Sequence, residues 1–145
     1  MNRKQVAVEL FRQKFNCSQA VFAAYRQSDQ LDERTALKLA TVFGAGVACT
    51  GDGLCGAITG GLLALSMKHG RGDLNSIEAK LNTYELGRQF MHEFKESNGS
   101  CTCEQIIGFN IGTPDNHKRA QDMKLFETRC LDAVKSAADI LEKLI

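Results

Sequence analysis

A run of small residues leads into an apolar helix near the middle of the chain, and this pairing restricts how that helix can pack. Residues 48–61 read ACTGDGLCGAITGG, and residues 62–67 continue with mostly apolar, helix-forming letters. Each glycine inside a helix costs roughly 1 kcal/mol relative to alanine, so packing or chemistry must offset that cost. The pattern predicts a strip of small residues where another backbone, a bulky group or a cofactor approaches closely. The members of this strip are Gly56, Ala57, Gly60, Gly61 and Ala64.

Apolar residues elsewhere recur with helical spacing, and no stretch alternates with the period of two that is typical of strands. Capping residues at Asn16 and Asp32 and the breaker Asn98–Gly99 mark helix boundaries. The sequence predicts an all-α fold, in which residues 1–145 form a single-domain bundle of about five to seven helices. The predicted helical segments are 3–15, 17–25, 33–43, 55–69, 75–96, a short turn within 101–108, a segment from Thr113, and 128–144.

The long segment 75–96 has four large side chains available for its buried side. These are Leu81, Tyr84, Phe90 and Phe94. We expect these side chains to form the buried side of the helix.

Charge and apolar content exclude several classes of protein. The net charge is +1 with the signs interspersed, which gives no electrostatic case for a nucleic-acid or membrane partner. The N-terminal letters MNRKQVAVELFRQKF lack the apolar run of a secretory signal, and the apolar stretch 55–67 is too short to span a bilayer. We therefore expect a cytoplasmic protein without membrane insertion. In a reducing compartment, six cysteines indicate redox chemistry, metal ligation or burial rather than a static disulfide framework.

Four of the six cysteines fall in the first turn of a predicted helix, and we call them the site cysteines. They are Cys17, Cys55, Cys103 and Cys130. Unpaired N–H groups and the helix dipole stabilise an anion at that position, which predicts a lowered thiol pKa and a reactive thiolate. The alternative is simple burial, because free cysteine often packs as a small hydrophobe. Cys49 and Cys101 lie in predicted loops. Each is either a resolving thiol for a neighbouring site cysteine or a residue without a functional role, and the sequence favours neither alternative.

The spacing of cysteines and histidines matches no standard signature. There is no C-x-x-C, so neither a thioredoxin-like motif nor a zinc ribbon is indicated. His69, His92 and His117 are scattered, and we interpret them as structural or solvated residues. The glycine-rich loop 44–53 lacks the lysine and the preceding strand of a phosphate-binding loop.

Four segments of the chain resemble one known family. The letters NCSQAV, GLCGAITGGLLALSMKHG, CEQIIG and RCLDAV are similar to those of the C_GCAxxG_C_C family, whose members are regarded as redox-active. The mark of that family is a CGAxxG motif, here 55–60, with three further cysteines, here Cys17, Cys103 and Cys130. The resemblance covers nearly the whole chain and implies a small, helical, bacterial or archaeal protein. Some members carry selenocysteine, which implies chemistry at the chalcogen. Haem, found in a related cytochrome, is not implied, because C-x-x-C-H is absent.

Three interpretations of function remain open. The first is a thiol-dependent oxidoreductase that needs no cofactor and acts on an unidentified redox partner or small molecule, with Cys55 as the attacking thiol. The second is a metal or iron–sulfur protein whose ligands are the four site cysteines. The third is a non-enzymatic helical interaction module with buried cysteines, in which the glycine contact supports a homodimer.

Overall fold

The computed structural model of the protein describes residues 1–145 and contains eight α-helices. The helices are α1 (Arg3–Arg12), α2 (Cys17–Tyr25), α3 (Glu33–Ala40), α4 (Gly56–His69), α5 (Ile77–Asn98), α6 (Cys103–Ile107), α7 (Pro114–Asp122) and α8 (Leu131–Leu144). A 3₁₀ turn follows α3 at Thr41–Phe43, and a π-helical turn precedes α8 at Phe126–Cys130. The only strand-like pairing is an isolated antiparallel bridge between Leu54 and Thr102. The predicted all-α fold is confirmed.

The number of helices exceeds the predicted five to seven. The segments expected as a short turn and as a further helical start form two separate short helices, α6 and α7. Each has its own cap, because Thr102 accepts a hydrogen bond from the N–H of Gln105 and Thr113 accepts one from the N–H of Asn116. Side-chain capping gives each short helix a fixed start, so each counts as an element of its own.

Reciprocal capping fixes the start of α2. The side chain of Asn16 accepts a hydrogen bond from the N–H of Gln19 at 2.9 Å, and the side chain of Gln19 accepts one from the N–H of Asn16 at 3.0 Å. Such a pair satisfies two N–H groups that the helix itself leaves without partners. It also places Cys17 at the first helical position of α2.

Helix α2 lies at the centre of the bundle. It packs against α1, α3, α4 and α8, and every residue from Ala20 to Tyr25 is buried. The hydroxyl of Tyr25 donates to the Ala138 carbonyl at 3.1 Å and lies 2.7 Å from the Glu142 carboxylate, so its polar atom is satisfied. These contacts hold α2 in register with α8 and leave its first turn facing α4.

The small-residue strip of α4 lies against that first turn. A methyl group added at Gly60 would be 2.5 Å from the carbonyl oxygen of Ser18 and 3.0 Å from its Cα. A methyl group at Gly56 would be 3.0 Å from the Ser18 nitrogen and 3.1 Å from the Cβ of Cys17. Gly61 faces the ring of Phe90 on α5. The strip therefore allows close backbone approach, and α2 occupies the space beside Gly60.

Helix α5 buries only part of the face that the sequence predicted. Phe90 and Phe94 are fully buried, but Leu81 and Tyr84 are 58% and 56% exposed. Leu81 precedes Phe90 by nine residues, about 2.5 helical turns, so the two side chains lie on opposite faces of the helix. Although α5 is the longest helix, neither it nor any other helix is long and apolar enough to cross a membrane.

Buried apolar side chains form two clusters. The larger has 24 residues, among them Cys55, and Cys17 packs at its edge. The smaller has 6 residues, among them Cys103 and Cys130. Phe11 of α1 packs against both clusters. The site cysteines therefore lie where the two clusters meet.

Candidate functional site

The loop that precedes α4 has an unusual backbone. Five consecutive residues, 45–49, have positive φ angles between 55° and 73°. Residues with a Cβ rarely adopt this left-handed conformation, and only Gly46 in the run is free of the steric penalty. Hydrogen bonds from the Gly51 N–H to the Ala45 carbonyl, 3.0 Å, and from the Gly53 N–H to the Gly46 carbonyl, 2.9 Å, close the loop on itself. The closed loop returns the chain to the first turn of α2.

The bridge between Leu54 and Thr102 places two site cysteines side by side. The N–H of Cys55 donates to the Cys101 carbonyl at 2.8 Å, and the N–H of Cys103 donates to the Gly53 carbonyl at 3.1 Å. Cys55 is the N-cap of α4, and Cys103 is the first residue of α6. The starts of two helices are thus joined by main-chain hydrogen bonds, whose spacing is set by the backbone.

Cys130 does not lie in the first turn of a helix, which corrects the prediction. It ends the π-helical turn and continues into α8 with helical dihedral angles, φ −71° and ψ −38°. Its N–H donates to the Leu125 carbonyl at 3.1 Å and is therefore not available to a thiolate. Thr128, where the sequence predicts that the last helical segment begins, donates its hydroxyl to the Lys124 carbonyl. Single π-helical turns are frequent at functional sites, and this one ends on a site cysteine.

All four site cysteines line one cavity of about 780 Å³. They come from different parts of the chain, namely the starts of α2, α4 and α6 and the turn before α8. Cys55, Cys103 and Cys130 are at most 6% exposed, whereas Cys17 is half-buried. A cavity of this volume suits a small molecule. The fold therefore gathers all four residues, with Gly56 also in the cavity wall but Gly60 outside it.

The thiols of three site cysteines are neighbours in the cavity wall. Cys17 lies close enough to Cys55 and to Cys130 for both thiols to change its pKa. The neighbouring Cys130 thiol is the main reason that the pKa of Cys17 is raised, while the Cys55 thiol acts in the opposite direction. The neighbouring Cys17 thiol and then burial raise the pKa of Cys55 well above its ordinary value. Burial, with a smaller effect of Cys55, raises the pKa of Cys103 to about 12.

The predicted lowering of the thiol pKa by helix starts is therefore wrong for these three cysteines. The N–H groups of Ala57 and Ile58 do lower the pKa of Cys55, as expected at the start of a helix. Their effect is outweighed, because burial removes hydration from a thiolate and the neighbouring thiol favours the protonated form. The resting protein holds Cys17, Cys55 and Cys103 as neutral thiols at pH 7.

The two remaining cysteines lie outside the cavity wall. Cys49 is exposed on the left-handed loop, close enough to Cys103 to contribute to its raised pKa. Cys101 is half-buried, its thiol donates to the Met91 carbonyl at 3.5 Å, and burial raises its pKa. All six cysteines are free thiols.

The histidines and acidic residues provide no preformed metal site. No three Cys, His, Asp or Glu side chains are grouped so that they could hold a metal ion. His69 lies 2.9 Å from the Leu144 carbonyl, and His92 lies 3.1 Å from Glu96, consistent with structural or solvated roles. His117 is different, because it lines the cavity and stacks on Phe126 with ring centroids 5.1 Å apart.

Three basic side chains that sequence reasoning missed also line the cavity. They are Arg12, Lys14 and Lys124. No motif marks these residues. The only available signal was proximity along the chain, since Lys14 precedes Cys17 by three residues and Lys124 precedes Cys130 by six.

A family model described as "Putative redox-active protein (C_GCAxxG_C_C)" matches residues 15–144. The chain belongs to the C_GCAxxG_C_C family. In this C_GCAxxG_C_C protein, the matched residues include all four cysteines that share the cavity. No curated protein and no solved structure matched the chain.

Proposed function

We propose that this C_GCAxxG_C_C protein is a thiol–disulfide oxidoreductase whose working pair is Cys17 and Cys130. The observation that carries the proposal is the gathering of four cysteines from different parts of the chain at one cavity, where Cys17 lies beside both Cys55 and Cys130. Neighbouring thiols can form a disulfide with little rearrangement of the chain. Membership of a family described as redox-active supports the same chemistry.

The raised pKa values of three site cysteines and the neighbours of Cys17 support an assignment of roles. A raised pKa disfavours the thiolate at Cys17, Cys55 and Cys103, which include the cysteine expected from the sequence to attack, Cys55. Cys17 lies next to Cys130 and can resolve a mixed disulfide formed there. We assign the attacking role to Cys130, the resolving role to Cys17, and a positioning role to Cys55.

The reaction balances as a two-electron exchange with a substrate disulfide. The Cys130 thiolate attacks one substrate sulfur, the substrate S–S bond breaks, and the second substrate sulfur leaves as a thiolate. Cys17 then attacks the sulfur of Cys130 in the mixed disulfide, and the first substrate sulfur leaves. The protein loses two electrons and forms one disulfide, while the substrate gains two electrons. The protons of the two cysteines pass to the two released thiolates.

Replacing the resolving thiol tests the proposal. The reduced protein is mixed with one equivalent of 4,4′-dithiodipyridine, and released pyridinethione is measured together with the intact mass. Wild type is expected to release two equivalents and to contain a Cys17–Cys130 disulfide that dithiothreitol reverses. Cys17→Ser is expected to release one equivalent and to keep the other as a mixed disulfide on Cys130, because no resolving thiol remains.

The matched control is Cys49→Ser, which removes an exposed thiol outside the cavity wall and is expected to behave as wild type. Circular dichroism checks that both variants keep their helices. A wild-type protein that keeps a mixed disulfide contradicts the proposal, as does full release by Cys17→Ser. Thiols that react only after a chelator or acid is added overturn it in favour of the metal interpretation, because a bound ion holds its thiolates.

A further inference from the structure

The cavity mouth carries an excess of positive charge. Arg12, Lys14 and Lys124 line the cavity and are exposed, and Glu127 is the only acidic residue in its wall. The four salt bridges of the protein involve other residues, so all three cations are free. Two positive charges therefore remain uncompensated at the entrance of a protein whose net charge is only +1. Such a concentration of one sign attracts an anion.

The backbone at the two lysines is unfavourable for any residue other than glycine. Lys14 has φ 83° and Lys124 has φ 57°, and each lies just beyond the end of a helix, α1 and α7 respectively. Glycine is the usual residue at this position because it has no Cβ. Neither lysine side chain has an ion partner within the protein. Strained residues of this kind cluster at functional sites.

The interior of the cavity is apolar and aromatic. Phe11, Phe15, Ile107 and Ile111 contribute to its wall, and Phe126 presents a ring stacked on His117. Sites for small molecules combine such an apolar lining with a few placed polar groups. Here the placed groups are the three cations at the mouth and the thiols of the site cysteines.

We propose that the cavity binds a small amphipathic anion, with an apolar aromatic body inside and a carboxylate, sulfonate or phosphate group held by Arg12, Lys14 and Lys124. If the protein has the proposed function, on which this assignment rests, its substrate is an aromatic disulfide that carries an anionic group. The exchange then balances as described above, with the substrate disulfide as the oxidant.

A pair of dyes that differ only in charge tests the binding site without relying on redox chemistry. 1-Anilinonaphthalene-8-sulfonate carries a sulfonate, and N-phenyl-1-naphthylamine is the same ring system without it. We expect wild type to bind the sulfonate more tightly. In the double variant Lys14→Gly, Lys124→Gly, we expect the affinity for the sulfonate to fall about tenfold and that for the neutral dye to change less than twofold.

The double variant is designed to keep the fold, because glycine accepts the positive φ at both positions. Its melting temperature is expected to equal or exceed that of wild type. The control is Lys38→Gln, Lys68→Gln, which removes the same charge from exposed positions outside the cavity wall and is expected to retain the dye preference. Unchanged affinity for the sulfonate in the glycine variant overturns the proposal, as does an equal loss for both dyes.

A reaction experiment separates this proposal from the proposed function. The anionic disulfide 5,5′-dithiobis(2-nitrobenzoate) is expected to oxidise the wild type faster than neutral 4,4′-dithiodipyridine after correction for reaction with a free thiol. That advantage is expected to fall about tenfold in the glycine variant. Dye preference without paired oxidation by either disulfide means that the anion site stands and the proposed function fails. Paired oxidation without dye preference means that the proposed function stands and the anion site fails.

Discussion

The thiol of Cys103 is buried but lies at the cavity wall. Burial controls its pKa, and its position at the wall makes it accessible to a small reagent. Its pKa is raised to about 12, chiefly because burial disfavours the charged form. A thiol of the unfolded chain ionises near the ordinary value of 9.0. We therefore expect alkylation of Cys103 by iodoacetamide to rise about tenfold per pH unit up to pH 10 without levelling off.

Peptide mass spectrometry after timed alkylation measures this rate for each cysteine separately. The reference is the same protein in urea, where the rate for Cys103 is expected to level off above pH 9. A plateau at pH 9 in the folded protein contradicts the raised pKa and shows a hydrated thiol.

At the residue scale, sequence identified the four site cysteines but not their ionisation. The helix starts at Cys55 and Cys103 were predictable from neighbouring glycine and Thr102. The raised pKa values were not, because they depend on burial and on thiols that are distant in the chain. The basic side chains at the mouth escaped prediction for the same reason, since only the folded chain brings Lys14 and Lys124 to one cavity.

At the scale of helices, the contact between α2 and α4 decides where two site cysteines meet. A Cβ at Gly60 would lie 2.5 Å from the backbone oxygen of Ser18, which cannot move alone. We expect Gly60→Ala to lower the free energy of unfolding by ~1–3 kcal/mol, measured by urea denaturation.

A second helical glycine supplies the control for that experiment. A Cβ at Gly87 of α5 would meet only the side chain of Leu62, at an ordinary 3.4 Å. Gly87→Ala is therefore expected to stabilise the protein by ~0.5–1 kcal/mol through helix propensity alone. Equal effects of the two substitutions would show that α2 and α4 are not in close contact.

Helix ends marked by capping residues or glycine were predictable from the sequence. The irregular backbone segments, which depend on contacts in the folded chain, were not. The caps Asn16 and Asp32 and the left-handed Gly99 mark helix ends as expected. The π-helical turn that ends at Cys130 was missed, because one inserted residue leaves composition and approximate periodicity unchanged. The left-handed run 45–49 was also missed, since four of its five residues are not glycine and its hydrogen bonds depend on the closed loop.

For the molecule as a whole, the position of the thiols between the two apolar clusters links stability to pH. Cys17, Cys55 and Cys103 have raised pKa values in the folded protein, whereas in the unfolded chain they ionise near 9.0. Above that pH the folded state binds more protons than the unfolded state, so the free energy of unfolding falls as pH rises. The stability is fully present up to about pH 8 and is lost progressively as the pH rises through 9.

The expected size of this loss follows from the number of suppressed ionisations. Each contributes up to about 1.4 kcal/mol per pH unit well above the unfolded pKa and about 1 kcal/mol between pH 9 and 10, so the three together lose about 3 kcal/mol over that unit. Urea midpoints measured from pH 7 to 10, with a reductant that keeps the thiols free, should stay level to pH 8 and then fall. Cys103→Ser should fall less steeply, because serine does not titrate in this range, while Cys49→Ser should follow wild type. Midpoints that stay level to pH 10 would mean that water reaches the site cysteines, and the junction of the two clusters would then be open rather than packed.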